Sequence, residues 1–291
     1  MSTTACCSEF YEQDWVRALL DDSFHPGGPA LTARTIESLA LTRGERVLDL
    51  ACGTGTTVIE LATRGLHATG MDASASSIER ARTRVHEARV GDAVSLVVGD
   101  VQTMPFADAS FDAVLCECAL STFADPAALM RETLRVLRPG GRLGLSDMAV
   151  YGELPPDLAR LAGPWACVQG APTVEGYQRW LLDAGFRLLS TADESATLHQ
   201  MARDLKRKLV VLGLGQVTGV VADQEIDVAE LRTRLDQARA LVDAGTVQYV
   251  RVAASRGRPQ VVASPEPDAE VEPAAPQAPS AAPCDPSTGC C

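Results

Sequence analysis

Two groups of residues in this chain have the types and spacing to do chemistry. The first is Asp49-Leu50-Ala51-Cys52-Gly53-Thr54-Gly55. The apolar run Val47–Leu50 reads as a buried strand, the glycines as a tight turn, and Thr57–Ala62 as the start of a helix. Glycines at such a turn let the backbone approach a ligand closely, as in nucleotide-binding strand–turn–helix units. A second apolar strand, Ala68–Met71, ends in Asp72, where an acid can accept hydrogen bonds from a ribose diol. On these residues alone, a dinucleotide site and a ligand-free turn stay open as alternatives.

The second group is the cysteines, nine in all. Cys52 lies in the glycine turn, where a small packing residue is expected. Cys116 and Cys118 flank Glu117 at the carboxyl end of a predicted strand, Phe111–Cys118, and that edge of an open α/β sheet is where ligands sit. Cys116 reads as core, since a free cysteine packs as a small hydrophobe, whereas Cys118 at or past the strand end faces the cleft. Cys167 falls in a loop after the next strand, Cys6 and Cys7 stand near the start, and Cys284, Cys290 and Cys291 near the end. In a reducing compartment such clusters point to metal or redox chemistry rather than to a disulfide framework.

The elements that must position these groups follow in order. Val94–Val98 is a third strand, ending in Gly99-Asp100; a loop with Met104-Pro105-Phe106 precedes the fourth; and Leu134–Arg138 reads as a helix end, with Pro139-Gly140-Gly141 as a stop before a fifth strand. Together these segments resemble the class I S-adenosylmethionine-dependent methyltransferases, closely over residues 45–150 and loosely to about 255. The resemblance implies a Rossmann-like α/β fold: a seven-stranded sheet with helices on both faces and the final strand antiparallel, a place that Gln248–Val252 suits. It also implies S-adenosyl-L-methionine as cofactor. The corresponding cofactor-binding positions are Asp49, Ala51, Gly53, Gly55, Asp72 and Ala73, with Asp100 and Val101 at the adenine edge, and Glu117.

Cys118 after the fourth strand and Cys167-Val168-Gln169-Gly170-Ala171 after the fifth resemble the metalloid-binding elements of arsenite methyltransferases, as do Cys6-Cys7 and Cys290-Cys291. The resemblance implies that Cys118 and Cys167 hold As(III), with Cys6 or Cys7 as a third sulfur, and that a thiol reductant such as thioredoxin or glutathione is a partner. Trivalent arsenic is soft and thiophilic. Bound by sulfurs it keeps a lone pair that can attack a sulfonium methyl with no proton to remove, so placement at about 3–3.5 Å is the main task. Positions 56–59 read Thr-Thr-Val-Ile, without the further cysteine those enzymes commonly carry there, so a disulfide relay in its usual form is not expected. Two other readings stand beside this one. A methyltransferase acting on an oxygen, nitrogen or carbon would need a base, for which Glu117, Asp147 and His25 are the candidates. A thiol-rich metal-sequestering protein would use the terminal cysteines, but would have no use for the glycine turn.

A net charge of −12 disfavours a nucleic-acid partner. With no apolar run long enough to span a membrane and no leader pattern, the expected location is the cytoplasm. The organisation reads as a helical preface or lid over 1–44, a methyltransferase domain over 45–256 (core 45–151, acceptor side 152–256), and a tail over 257–291. The tail is rich in Pro, Ala and acidic residues and is expected to be disordered. A random coil of that length spans roughly 25–30 Å, enough for its thiols to visit the cleft. Truncation after Ala263 is therefore expected to leave the maximal rate unchanged and to lower activity only when the metalloid is scarce. Steady-state rates across arsenite concentrations check this, and loss of activity at saturation would make a tail cysteine a direct ligand.

Overall fold

The computed structural model describes residues 25–155, 166–217 and 228–257. Cys6, Cys7, Cys284, Cys290 and Cys291, and with them the expectations for the early preface and the tail, lie outside the described residues.

The chain runs α1 (Gly28–Ser38), β1 (Arg46–Leu50), α2 (Thr56–Thr63), β2 (His67–Asp72), α3 (Ala75–Glu87), β3 (Val94–Val98), β4 (Phe111–Glu117), α4 (Pro126–Val136) and β5 (Leu137–Val150). It continues through α5 (Ala166–Gln169), α6 (Val174–Asp183), β6 (Phe186–Asp193), α7 (Ala196–Val217), α8 (Val228–Asp243) and β7 (Val247–Arg256). The strands form one seven-stranded sheet in the order β3-β2-β1-β4-β5-β7-β6. β7 is antiparallel to both neighbours, as expected, and the other described pairings are parallel.

The central strands read as continuous apolar runs because both faces are covered. In β4, Ala113 and Leu115 pack with Val47, Leu61 and Ile78 on one face, while Val114 and Cys116 pack with Leu48, Leu50 and Leu145 on the other. Helix starts are marked locally: Ser74 accepts from the Ser77 amide at 3.1 Å, and Asp125 accepts from the Ala128 amide at 2.8 Å with Pro126 just inside the helix. α6 ends where Gly185 takes φ +97°, a left-handed stop that glycine adopts without strain.

One element departs from expectation. Pro139-Gly140-Gly141 does not precede the fifth strand but lies inside it: β5 already pairs at Leu137 with Phe111, and the register jumps to Arg142 opposite Ala113. Gly140 at φ +80° makes the irregularity, and Gly141 passes so close that a Cβ there would lie 2.8 Å from the Arg138 carbonyl. Among the described residues no helix is long and apolar enough to cross a membrane.

α1 is fastened to the far side of the sheet. Arg34 bonds Glu194 at 2.7 Å, and Arg251 of β7 bonds the same carboxylate at 2.9 Å. Burial pushes the Glu194 carboxyl up, but the two guanidinium partners outweigh it and hold it below its ordinary range. Glu194→Gln is expected to lower stability by about 1.5–3 kcal/mol near neutral pH, read from urea midpoints. Because the folded pKa is depressed, this stabilisation is present above the unfolded value of about 4.3 and is lost as pH falls through the folded one. Equal midpoints for the two chains at neutral pH would show that the triad carries no stability.

Candidate active site

The turn after β1 is built from backbone in the left-handed region: Ala51 at φ +56°, Gly53 at +52° and Gly55 at +83°. Gly55 also needs its lack of a side chain, since a Cβ would lie 3.0 Å from that of Ala81 on α3. The turn is tied to β2, where the Cys52 amide donates to Met71 O at 3.1 Å and the Gly53 amide to Asp72 Oδ2 at 2.9 Å. The other Asp72 oxygen accepts from the Ser74 amide at 2.8 Å, and Arg84 grips Thr54 Oγ1 at 2.7 Å. Asp72 therefore stands at the mouth of the turn in a fixed orientation, with Ala73 exposed beside it.

Asp49 lies beneath this turn, buried, with Oδ2 lacking any hydrogen-bond partner. Burial pushes its carboxyl well up, and the charges of Glu117 and Asp72 push it further. An orphaned buried acceptor among three carboxylates is a setting for a cation, and S-adenosylmethionine brings a sulfonium and an ammonium. The residues present fit that cofactor.

Glu117, at the end of β4, is surrounded by three hydroxyls that sequence reasoning did not single out. Thr32 and Thr57 each donate to Oε2 at 3.0 Å, and Thr35, whose hydroxyl is shared with Leu31 O at 3.1 Å, approaches Oε1 at 3.5 Å. His25 reaches Thr32 at 3.3 Å and so stands behind this network. The only local signal was Thr32 and Thr35 one turn apart on α1, with no indication of their partner. Asp100 is exposed past β3 and caps its own turn, accepting from the Gln102 amide at 2.8 Å. The Val101 side chain is buried in the core, which leaves its backbone for the cleft.

Cys52 and Cys116 pack in the interior as expected. Cys52 is buried, its sulfur so close to β2 that a Cβ on Gly70 would lie 2.8 Å from it. Cys116 is buried in the core, where burial foremost and the charge of Asp147 next push its thiol well up. At Cys118 the extended run breaks: φ is +53°, uncommon for a residue with a side chain, and its amide donates to Ser146 O at 2.7 Å. That break turns Cys118 away from the Cys116 cluster and into a group formed by Leu31, Met148, Cys167, Leu198 and Tyr249. Cys167 lies on the short helix α5 rather than in an irregular loop, and it is buried in the cluster against which Cys118 packs. The neighbouring Cys167 thiol, then burial, pushes the Cys118 thiol well up, while the Tyr249 hydroxyl pulls the other way. Both sulfurs are free thiols.

Asp147 is the nearest buried acid. Oδ1 accepts from Ser121 Oγ at 2.9 Å and the Met148 amide at 2.8 Å, and Oδ2 from the Ser121 amide at 2.9 Å. Burial raises its pKa to about 6 against those bonds. Among the described residues, no cluster of three or more His, Cys, Asp or Glu side chains is arranged to hold a metal ion.

Residues 48–145 match the family described as methyltransferase domain. The chain is 32% identical over 230 residues to the 27-O-demethylrifamycin SV methyltransferase of Amycolatopsis mediterranei (strain S699), covering 78% of this chain and 82% of that one. It is 33% identical over 166 residues to the arsenite methyltransferase of Halobacterium salinarum (strain ATCC 700922 / JCM 11081 / NRC-1), covering 54% of this chain and 41% of that one. In fold it is similar to the phosphoethanolamine N-methyltransferase 2 of Haemonchus contortus solved with S-adenosyl-L-methionine (TM-score 0.73, 19% identity, 89% of this chain and 60% of that one).

Asp72→Ala is expected to weaken S-adenosylmethionine binding roughly tenfold or more, the usual cost of hydrogen bonds to a charged acceptor. Titration calorimetry checks it, and an unchanged affinity would remove Asp72 from the site.

Proposed function

The chain belongs to the class I S-adenosylmethionine-dependent methyltransferases, and we propose that its acceptor is trivalent arsenic held by Cys118 and Cys167. One observation carries the proposal. Two thiols from separate segments, one on a strained residue after β4 and one on α5, are packed into one cluster beside the carboxyl edge of the sheet. Arsenite would be taken up as two As–S bonds form, two As–O bonds break and two waters leave, the thiol protons going out in that water. Soft sulfur is the fitting ligand for such a centre.

Bound S-adenosylmethionine supplies an electrophilic methyl group. The chain's own residues bind and orient. Asp72 serves the ribose, Asp49 and Glu117 favour the cofactor's positive charge, Ala51, Gly53, Gly55 and Ala73 shape the turn around it, and Asp100 and Val101 border the adenine. Cys118 and Cys167 leave the arsenic lone pair directed away from them, so no base has to remove a proton from the acceptor. The carboxylates fit this division of labour. Asp147 has both oxygens bonded and Glu117 is capped by three threonines, so neither is held ready as a general base. Cys6 or Cys7 would add a third sulfur, Cys290 and Cys291 would collect metalloid, and a small thiol or thioredoxin would keep the thiols reduced in the cytoplasm. We place neither nucleic acid nor membrane among its partners.

A second reading is methylation of an oxygen on an organic molecule, favoured by the relative that acts on 27-O-demethylrifamycin SV and spans most of both chains. The two readings part on the cysteines. Cys118→Ser and Cys167→Ser are each expected to lower arsenite methylation at least a hundredfold while cofactor affinity stays nearly unchanged, because serine offers a hard, un-ionised oxygen. Methyl transfer from labelled cofactor to arsenite, with thiol present, is the measurement. If both variants methylate arsenite normally, the thiols are packing residues and the organic acceptor takes over.

A further inference from the structure

Cys118 and Cys167 belong to segments that share no strand or helix, so their spacing must be set by contacts elsewhere. Cys118 is referenced to β5 through its own amide, which donates to Ser146 O at 2.7 Å. The next residue of β5, Asp147, grips Ser121 twice, at the amide and at the hydroxyl, both 2.9 Å. Ser121 sits in the 3-10 turn Leu120–Thr122 that follows Cys118. Its carbonyl oxygen lies directly against Gly170, one residue beyond α5, and a Cβ built on Gly170 would run into that oxygen. Beyond Gly170 the chain is fixed again to β5, where the Val150 amide donates to Pro172 O at 3.1 Å. Both thiols are thus measured from adjacent residues of one buried strand.

We propose that Gly170 and Ser121, anchored by the Asp147 carboxylate, are positioning residues that set the gap between the Cys118 and Cys167 sulfurs to one a single trivalent arsenic can bridge. The proposal rests on the acceptor role given above to that pair. Gly170 acts by having no side chain: backbone meets backbone, and α5 comes down until its cysteine enters the cluster against which Cys118 packs. An alanine must move either the rigidly held Ser121 or α5, and α5, a single turn, is the part that gives.

The test uses the full-length chain with Cys6, Cys7, Cys284, Cys290 and Cys291 changed to serine, and phenylarsine oxide as the probe. In water this reagent carries two exchangeable oxygens. Capture forms two As–S bonds, breaks two As–O bonds and releases water, and so demands two thiols at bridging distance. Gly170→Ala is expected to weaken capture about a hundredfold, the scale of a misplacement near 1 Å. S-adenosylmethionine should bind as before, which a collapsed fold would not allow. If Gly170→Ala also loses cofactor binding, Ser121→Ala decides the matter: it deletes one bond to Asp147, adds no atom, and is expected to weaken capture about tenfold with cofactor affinity kept. Capture unchanged in Gly170→Ala, or in Ser121→Ala where that variant decides, overturns the spacing role alone. A parent chain that fails to capture the probe at Cys118 and Cys167 overturns the acceptor reading and the spacing role with it.

Discussion

The parallel pairing of β1 with β4, in the register Leu50 opposite Cys116, is the constraint from which the site follows. It brings the ends of the two central strands level. Asp49 and the glycine turn are carried by one, Glu117 and Cys118 by the other, and they come out on the same edge of the sheet. Neither strand has freedom to slip, because a shift of one residue would exchange Val114 and Cys116 for Ala113 and Leu115 across the sheet and unpack both faces. The glycine turn and Glu117-Cys118 are therefore neighbours for the same reason that the core is packed.

The electrostatics of that edge are costly. Asp49 is buried with an unpartnered oxygen, and Glu117 and Asp72 are near enough to raise its pKa. The threonine hydroxyls on Glu117 offset part of this by hydrogen bonding, and they have a second effect, since Thr32 and Thr35 belong to α1 while Thr57 belongs to α2. One carboxylate thus ties two helices to the strand end. A cationic ligand answers the remaining imbalance, and the chain gains stability by binding it. α1 therefore does more than pack: it supplies two of the three groups that keep Glu117 in place.

Much of this was legible in the chain because the signals are local. An apolar run broken by glycines announces β1 and its turn, an acid closes β2, and the antiparallel last strand came with the family resemblance. The Pro139-Gly140-Gly141 segment misled because its composition signals a stop equally well before a strand and at a bulge within one; only the pairing of Leu137 with Phe111 separates the two. Cys118 and Cys167 stood out as residue types, but they join one cluster through a left-handed residue at 118 and beside a glycine packed on a carbonyl, neither visible in spacing. The threonines around Glu117 were hidden for a similar reason. A polar pair on a helix face gives no clue to a partner some eighty positions away, at 3.0 and 3.5 Å.

The sheet order has a consequence for how the molecule comes into being. β7 is the last strand among the described residues, yet it lies between β5 and β6 rather than at an edge. During synthesis β6 leaves the ribosome before the strand that joins it to the sheet, and must wait unpaired until some fifty further residues follow. Tyr249 and Val247, which pack in one cluster with Cys167 and Cys118, arrive on that same strand. A chain synthesised as far as β6 therefore holds its glycine turn and both cysteines but lacks the β7 residues that enclose them. For this cluster the order of synthesis and the order of packing differ, and β7 closes the interval.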